Sequence, residues 1–156
     1  MSDAVCYTFE VAIEKAIEME ENGFRTYLRG ISTLKDKHAR EVLRDSALDE
    51  LRHKFELEKA LLQGAMEGDV RMKAGVPTMN LDYVLGQAEL DPNADVRKAL
   101  AYSIHLEKEA IDFYQRLIDG CSGAPMVPIF QKLLADETHH LRQLEDMYEE
   151  HFLTEN

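Results

Sequence analysis

The sequence predicts an all-α fold: an antiparallel four-helix bundle with one long crossover between helices 2 and 3. Two observations carry this prediction. Four long segments place apolar residues on one helical face, and they form two similar halves offset by a constant 87 residues, as between Glu20 and Glu107. The 156 residues fit a single domain, 1–156, which is long enough to bury a core without disulfides.

Helical periodicity predicts helices at about 8–31, 36–62, 93–120 and 128–152. Gly64 is a stop signal for the second helix, either Asn93 or Asp95 caps the third, and Pro128 suits the first turn of the fourth. The predicted apolar face of the first helix is Ile13, Ala16, Ile17, Phe24, Tyr27, Leu28 and Ile31. That of the fourth is Phe130, Leu133, Leu134, Leu141, Leu144 and Met147.

The connections differ in length, and this sets the topology. Short links at 32–35 and 120–127 predict two helical hairpins, because short links join antiparallel neighbours. The stretch 64–92 is long enough to return the chain to the opposite end of the bundle, and 81–90 is predicted as a short extra helix within it. Two hairpins joined by one long crossover are the ferritin-like arrangement.

Composition excludes several classes of function. A formal net charge of −12 disfavours a nucleic-acid partner, which requires clustered Lys and Arg. Cys6 and Cys121 form no CxxC pair, so a zinc ribbon or a rubredoxin-type iron site is not expected. No signal peptide and no apolar run of membrane-spanning length is visible, so we expect a cytoplasmic protein with no membrane partner.

Each predicted helix carries one Glu in the middle of its apolar stripe. Residues seven apart share a helix face to within about 20°, and each of these carboxylates has apolar neighbours at that spacing. They are Glu20, Glu50, Glu107 and Glu137. A surface Glu is usually only solvated, but an unpaired buried carboxylate costs several kcal/mol. Protonation, basic partners or metal ions must therefore compensate for four of them.

Two histidines complete a metal-ligand set. His53 follows Glu50 by three residues and His140 follows Glu137 by three, and residues at this spacing are neighbours on a helix. Four carboxylates balance two divalent cations, and carboxylate with imidazole suits iron, manganese or zinc. We therefore predict that a two-metal site binds two iron ions, with manganese or zinc as alternatives. Its six ligands are Glu20, Glu50, His53, Glu107, Glu137 and His140.

Tyr27 and Tyr114 follow the two lone Glu residues by seven. Helical side chains lean toward the helix N-terminus, so each hydroxyl is expected to approach a ligand carboxylate and to support catalysis as a hydrogen-bond donor. The alternative is that both are ordinary core tyrosines.

The phrase AIEMEENGFRTY at 16–27, its echo LEKEAIDFY at 106–114 and the two Glu-x-x-His pairs resemble the rubrerythrin branch of the ferritin-like superfamily. The resemblance covers nearly the whole chain except the crossover. It implies a di-iron carboxylate oxidoreductase, commonly a homodimer, that reduces hydrogen peroxide or oxidises ferrous iron. The same six residues are the ligands that it implies. The rubredoxin domain that usually delivers electrons has no counterpart here, so the electron donor is unidentified.

Two other functions stay open on the sequence. One is an iron-binding or storage protein with slow ferroxidase activity. The other is a helical bundle with a purely structural metal site. Peroxide or dioxygen is the expected reaction partner only for the oxidoreductase, so whether the chain is an enzyme is a question for turnover measurements.

Overall fold

The computed structural model describes residues 8–66 and 90–152. Within them the chain forms four long helices and no strand. They are α1 (Phe9–Thr33), α2 (Lys37–Met66), α3 (Val96–Gly120) and α4 (Val127–Phe152). The predicted all-α four-helix bundle is confirmed. The proposed short helix at 81–90 and Cys6 lie outside the described residues, apart from Leu90.

Side-chain caps fix where three helices begin. The Thr8 hydroxyl accepts a hydrogen bond from the backbone N–H of Val11, and Asp95 accepts one from Lys98. Asp36 accepts one from the N–H of Ala39 at 2.8 Å. Each cap satisfies a backbone donor that the first helical turn leaves without a partner. Asp95, rather than Asn93, is therefore the cap of α3.

The chain direction follows from contacts at one end of the bundle. The backbone N–H of Lys35, in the α1–α2 link, donates to the carbonyl of Pro92, just before α3. Helices α2 and α3 therefore begin at the same end and run parallel, as a long crossover requires. The α1–α2 and α3–α4 hairpins are each closely packed along their length.

The helix packing does not follow the two-fold symmetry of the internal repeat. Helix α2 packs closely against α3, whereas α4 and α1, the pair that the repeat relates to them, approach each other much less. Small residues explain the close pair, because Ser46 and Ala47 of α2 stand where α4 has Leu133 and Leu134. Larger side chains at those positions of α4 occupy the space that separates it from α1.

Helix α2 passes through Gly64 to Met66, so the prediction that Gly64 stops it was wrong. A glycine inside a helix costs only about 1 kcal/mol relative to alanine, and this one lies on the buried side of α2. Two residues of the predicted apolar faces, Leu28 and Met147, are exposed. The apolar core forms two clusters, one at each end of the bundle.

Candidate metal centre

The six residues singled out by the sequence are buried, and the four helices carry them to the middle of the bundle. They are Glu20 on α1, Glu50 and His53 on α2, Glu107 on α3, and Glu137 and His140 on α4. Buried carboxylates in this number repel one another and lose their hydration. Their arrangement therefore has to be explained by what they contact.

Five of the six converge in two groups that can each hold a cation. The first comprises Glu20, His53 and Glu137, and the second comprises Glu107, Glu137 and His140. In each group one ligand atom per residue lies within 4.8 Å of the others. Glu137 belongs to both groups, so its carboxylate is placed to serve either of two neighbouring cations.

The donor atoms in these groups face one another without hydrogen bonding. The Nδ1 atom of His53 lies 2.9 Å from a Glu137 oxygen, and the Nδ1 atom of His140 lies 3.3 Å from a Glu107 oxygen. Neither nitrogen has a hydrogen-bond partner, nor does either oxygen of Glu137. Buried polar atoms are normally satisfied. Converging carboxylate and imidazole atoms without partners fit a metal ion, because a cation satisfies all of them together.

Glu50 is buried but lies outside both groups. Its carboxyl packs against α1 at Gly23, where an added Cβ would lie 2.7 Å from a Glu50 oxygen. The glycine thus provides the space that this carboxyl occupies. In the other half of the repeat the corresponding residue is Ala110, so the two halves of the site are not equivalent here.

Two of the carboxyl groups have raised pKa values. Burial raises the pKa of Glu50 well above 4.5, and the charge of Glu20 and a hydrogen bond with it raise that pKa further. Burial likewise raises the pKa of Glu137, and the negative charge of Glu107 raises it further. Raised pKa values favour the neutral acids, which reduces charge repulsion in the metal-free site.

Glu107 behaves in the opposite way. Burial acts to raise its pKa, but the close contacts with Glu137 and His140, the positive charge of His140 and a hydrogen bond from Tyr27 outweigh burial and lower it. Burial acts to lower the pKa of His53, yet its pKa is raised, chiefly by Glu20. Glu20 raises this pKa although its oxygen lies 3.7 Å from Nδ1 of His53, farther than the Glu137 oxygen at 2.9 Å.

Both tyrosine hydroxyls reach the site, each across the bundle. Tyr27 of α1 donates to Glu107 of α3 at 3.1 Å, and Tyr114 of α3 donates to Glu20 of α1. Each therefore contacts the Glu of the other half rather than the one on its own helix. Burial raises the pKa of both phenols, so they stay protonated and act only as donors.

Two aspartates that the sequence analysis did not select also contact the histidines. Asp49 of α2 lies 3.0 Å from Nδ1 of His140, and Asp136 of α4 lies 3.8 Å from Nε2 of His53. The internal repeat could have identified both aspartates, because a shift of 87 residues aligns Asp49 with Asp136. Arg52 forms an ion pair with Asp49 at 3.1 Å.

Comparison with known proteins agrees with this geometry. The sequence model of the rubrerythrin family matches residues 12–148, which is most of the chain and covers most of each of the four helices. The chain belongs to the rubrerythrin family. No curated protein and no solved structure gives a significant match. Family membership and two carboxylate–histidine groups together indicate a metal-binding rubrerythrin domain.

Two further observations concern this rubrerythrin-family chain. None of the described helices is both long and apolar enough to cross a membrane. Cys121 is buried at the end of α3, and among the described residues it stands apart from the carboxylate–histidine groups.

Proposed function

We propose that the chain is a di-iron carboxylate oxidoreductase of the rubrerythrin type, which reduces hydrogen peroxide and oxidises ferrous iron at the site. The observation that carries this proposal is the pair of groups that share Glu137, with ring nitrogens and carboxylate oxygens that converge without hydrogen bonds. Glu20 and His53 would hold one ion and Glu107 and His140 the other, with Glu137 between them and Glu50 joining on binding.

Two bound iron ions would supply the two electrons that convert peroxide to water. The protein residues have three tasks around them. Tyr27 and Tyr114 hold the carboxylates of Glu107 and Glu20 in place through their hydroxyl donors. The apolar clusters on either side exclude bulk water from the site. Glu50 and Glu137, whose pKa values are raised, would release protons on binding divalent cations, because only the ionised carboxylate ligates.

The first test is metal content. Chain purified under reducing, oxygen-free conditions and loaded with ferrous iron should hold about two metals. Glu50→Ala and Glu137→Ala should each lose at least one of them, whereas the exposed Glu58→Ala should bind as the parent does. Full occupancy in both site variants would refute the ligand assignment.

The second test separates the functions. Steady-state peroxide consumption by the iron-loaded chain with an added reductant supports the oxidoreductase, and its absence in Glu137→Ala attributes turnover to the site. Iron uptake well beyond two per chain would instead support storage with slow ferroxidation. Two metals with neither turnover nor further uptake would indicate a structural site.

We also propose that the chain forms a homodimer, as rubrerythrin-type proteins commonly do. Sedimentation equilibrium of metal-loaded chain should give twice the 17.9 kDa monomer mass, and a monomer across the concentration range would exclude it.

A further inference from the structure

We propose that divalent cations enter the buried site between α2 and α4, past Arg52 and over Asp49 and His140 to Glu107. The inference rests on the metal site proposed above and adds the route by which it fills. It concerns the rates of metal exchange, which the identity of the six ligands does not determine.

Side-chain exposure falls stepwise along this route. The Asp49 side chain is 24% exposed, that of His140 is 11% exposed, and that of Glu107 is 0% exposed. The Nδ1 atom of His140 joins the two ends, lying 3.0 Å from an Asp49 oxygen and 3.3 Å from a Glu107 oxygen. This nitrogen is buried and has no hydrogen-bond partner. A cation held first at Asp49 is therefore within reach of the ring nitrogen that faces the second group.

The corresponding aspartate in the other half of the repeat offers no such direct route to a ligand atom. Asp136 is 36% exposed, but it lies 3.8 Å from Nε2 of His53, whose side chain is 0% exposed. The His53 nitrogen that faces the site is the other one, Nδ1. A cation at Asp136 would have to pass the whole imidazole ring to reach Glu137. The repeat thus supplies two aspartates, and only Asp49 is in line with a ligand atom.

Arg52 lies at the outer end of the route, where it forms an ion pair with Asp49 at an N–O distance of 3.1 Å. Its own side chain is 56% exposed. An incoming cation competes with this guanidinium for the same carboxylate. The chain's net charge of −12 attracts cations to its surface in general. Arg52 therefore sets the local barrier at this point, and its removal should speed entry.

The experiment measures the rates of Co²⁺ binding and release by the metal-free chain. The sequence contains no Trp, and Tyr27 and Tyr114 contact site carboxylates, so quenching of tyrosine fluorescence reports occupancy. Stopped-flow mixing gives the uptake rate, and mixing loaded chain with a chelator gives the release rate.

We expect Asp49→Asn to slow uptake and release alike, each by about tenfold, with the dissociation constant changing less than about threefold. A residue that lies on the path but is not a final ligand affects both directions. Arg52→Gln should change uptake in the opposite direction and raise its rate by about threefold. The opposing signs distinguish a route from general damage to the fold.

The matched controls are Asp45→Asn and Arg44→Gln, because Arg44 and Asp45 form an exposed ion pair at 3.1 Å on the same helix without a histidine nearby. Both should exchange Co²⁺ as the parent does. Unchanged uptake in Asp49→Asn, or weaker affinity caused by faster release alone, would overturn the route and make Asp49 a ligand or a bystander. A parent chain that binds no Co²⁺ would instead refute the proposed metal site.

Discussion

The Tyr27 hydroxyl donates a hydrogen bond to the Glu107 carboxylate, 3.1 Å away on a helix from the other half of the repeat. Tyr114 makes the reciprocal bond to Glu20. The two bonds cross the bundle between α1 and α3, which otherwise touch little. They join the two hairpins at the level of the site.

Removing either hydroxyl should destabilise the metal-free chain. Tyr27→Phe and Tyr114→Phe each leave a buried carboxylate oxygen without its donor, which costs about 1–2 kcal/mol of unfolding free energy. Urea unfolding in the presence of a chelator measures the change. Tyr148→Phe is the control, because that hydroxyl accepts from Arg97 at the surface and should change stability by less than about 0.5 kcal/mol. Equal effects in all three variants would contradict the role given to the crossed bonds.

Gly23→Ala should weaken metal binding more than it weakens the fold. The new Cβ would lie 2.7 Å from a Glu50 oxygen, so the carboxyl has to move from its place against α1. We expect an affinity loss of about tenfold for at least one metal, measured by competition with a chromophoric chelator. Ala110→Gly, at the corresponding position of α3, is the matched reversal and should leave affinity unchanged. Parent-like affinity in Gly23→Ala would show that Glu50 does not need this space.

His53→Ala and His140→Ala should each reduce the metal content from two to about one per chain, since each imidazole serves a different group. Elemental analysis after removal of excess metal gives the count. His139→Ala, next to His140 on an exposed face of α4, is the control and should bind as the parent does. A histidine variant that retains two metals as tightly as the parent would remove that residue from the site.

The metal-free chain should lose stability as the pH rises from about 5 to about 8. Glu50 and Glu137 have pKa values raised above the unfolded value of 4.5, so their stabilisation is complete below it and is lost as pH rises through the folded pKa. The raised pKa values of His53 and His140 act in the same direction above 6.5. Glu107, with a lowered pKa, acts oppositely, but its stabilisation is lost only as the pH falls below 4.5, outside this range.

Thermal melts in chelator across this range test the sign, and Glu50→Gln should flatten the profile. Bound divalent metal should raise the melting temperature most at the higher pH, where the ligands are ionised. A metal-free chain that gains stability steadily toward pH 8 would contradict the clustering of the carboxyl groups.

The fold could be predicted almost entirely from the sequence, because helical periodicity and link lengths decide a bundle with few alternatives. The errors have physical causes. Gly64 lies on a buried helix side that tolerates it, and Leu28 and Met147 are exposed although their spacing places them with apolar residues. A heptad pattern gives the direction of a side chain but not the distance to the next helix.

The repeat also identified the six buried polar residues in advance, and five of them converge in the structure. The contacts among these residues could not be predicted from the sequence. The hydrogen bonds of Tyr27 and Tyr114 and the packing of Glu50 against Gly23 depend on the spacing between helices. The two halves differ here because Ala110 carries a Cβ that Gly23 lacks. Asp49 was visible in the repeat, but only the packing of α2 near α4 brings it to His140.

The two cation groups are unequal in their dependence on the fold. The first takes Glu20 and His53 from the α1–α2 hairpin and Glu137 from α4, whereas the second lies wholly within the α3–α4 hairpin. Local opening of the first hairpin would dismantle one position and leave the other assembled. If both groups bind metal as proposed, a chain that has lost the first ion would keep the second group assembled and could rebind the missing ion without unfolding the whole bundle.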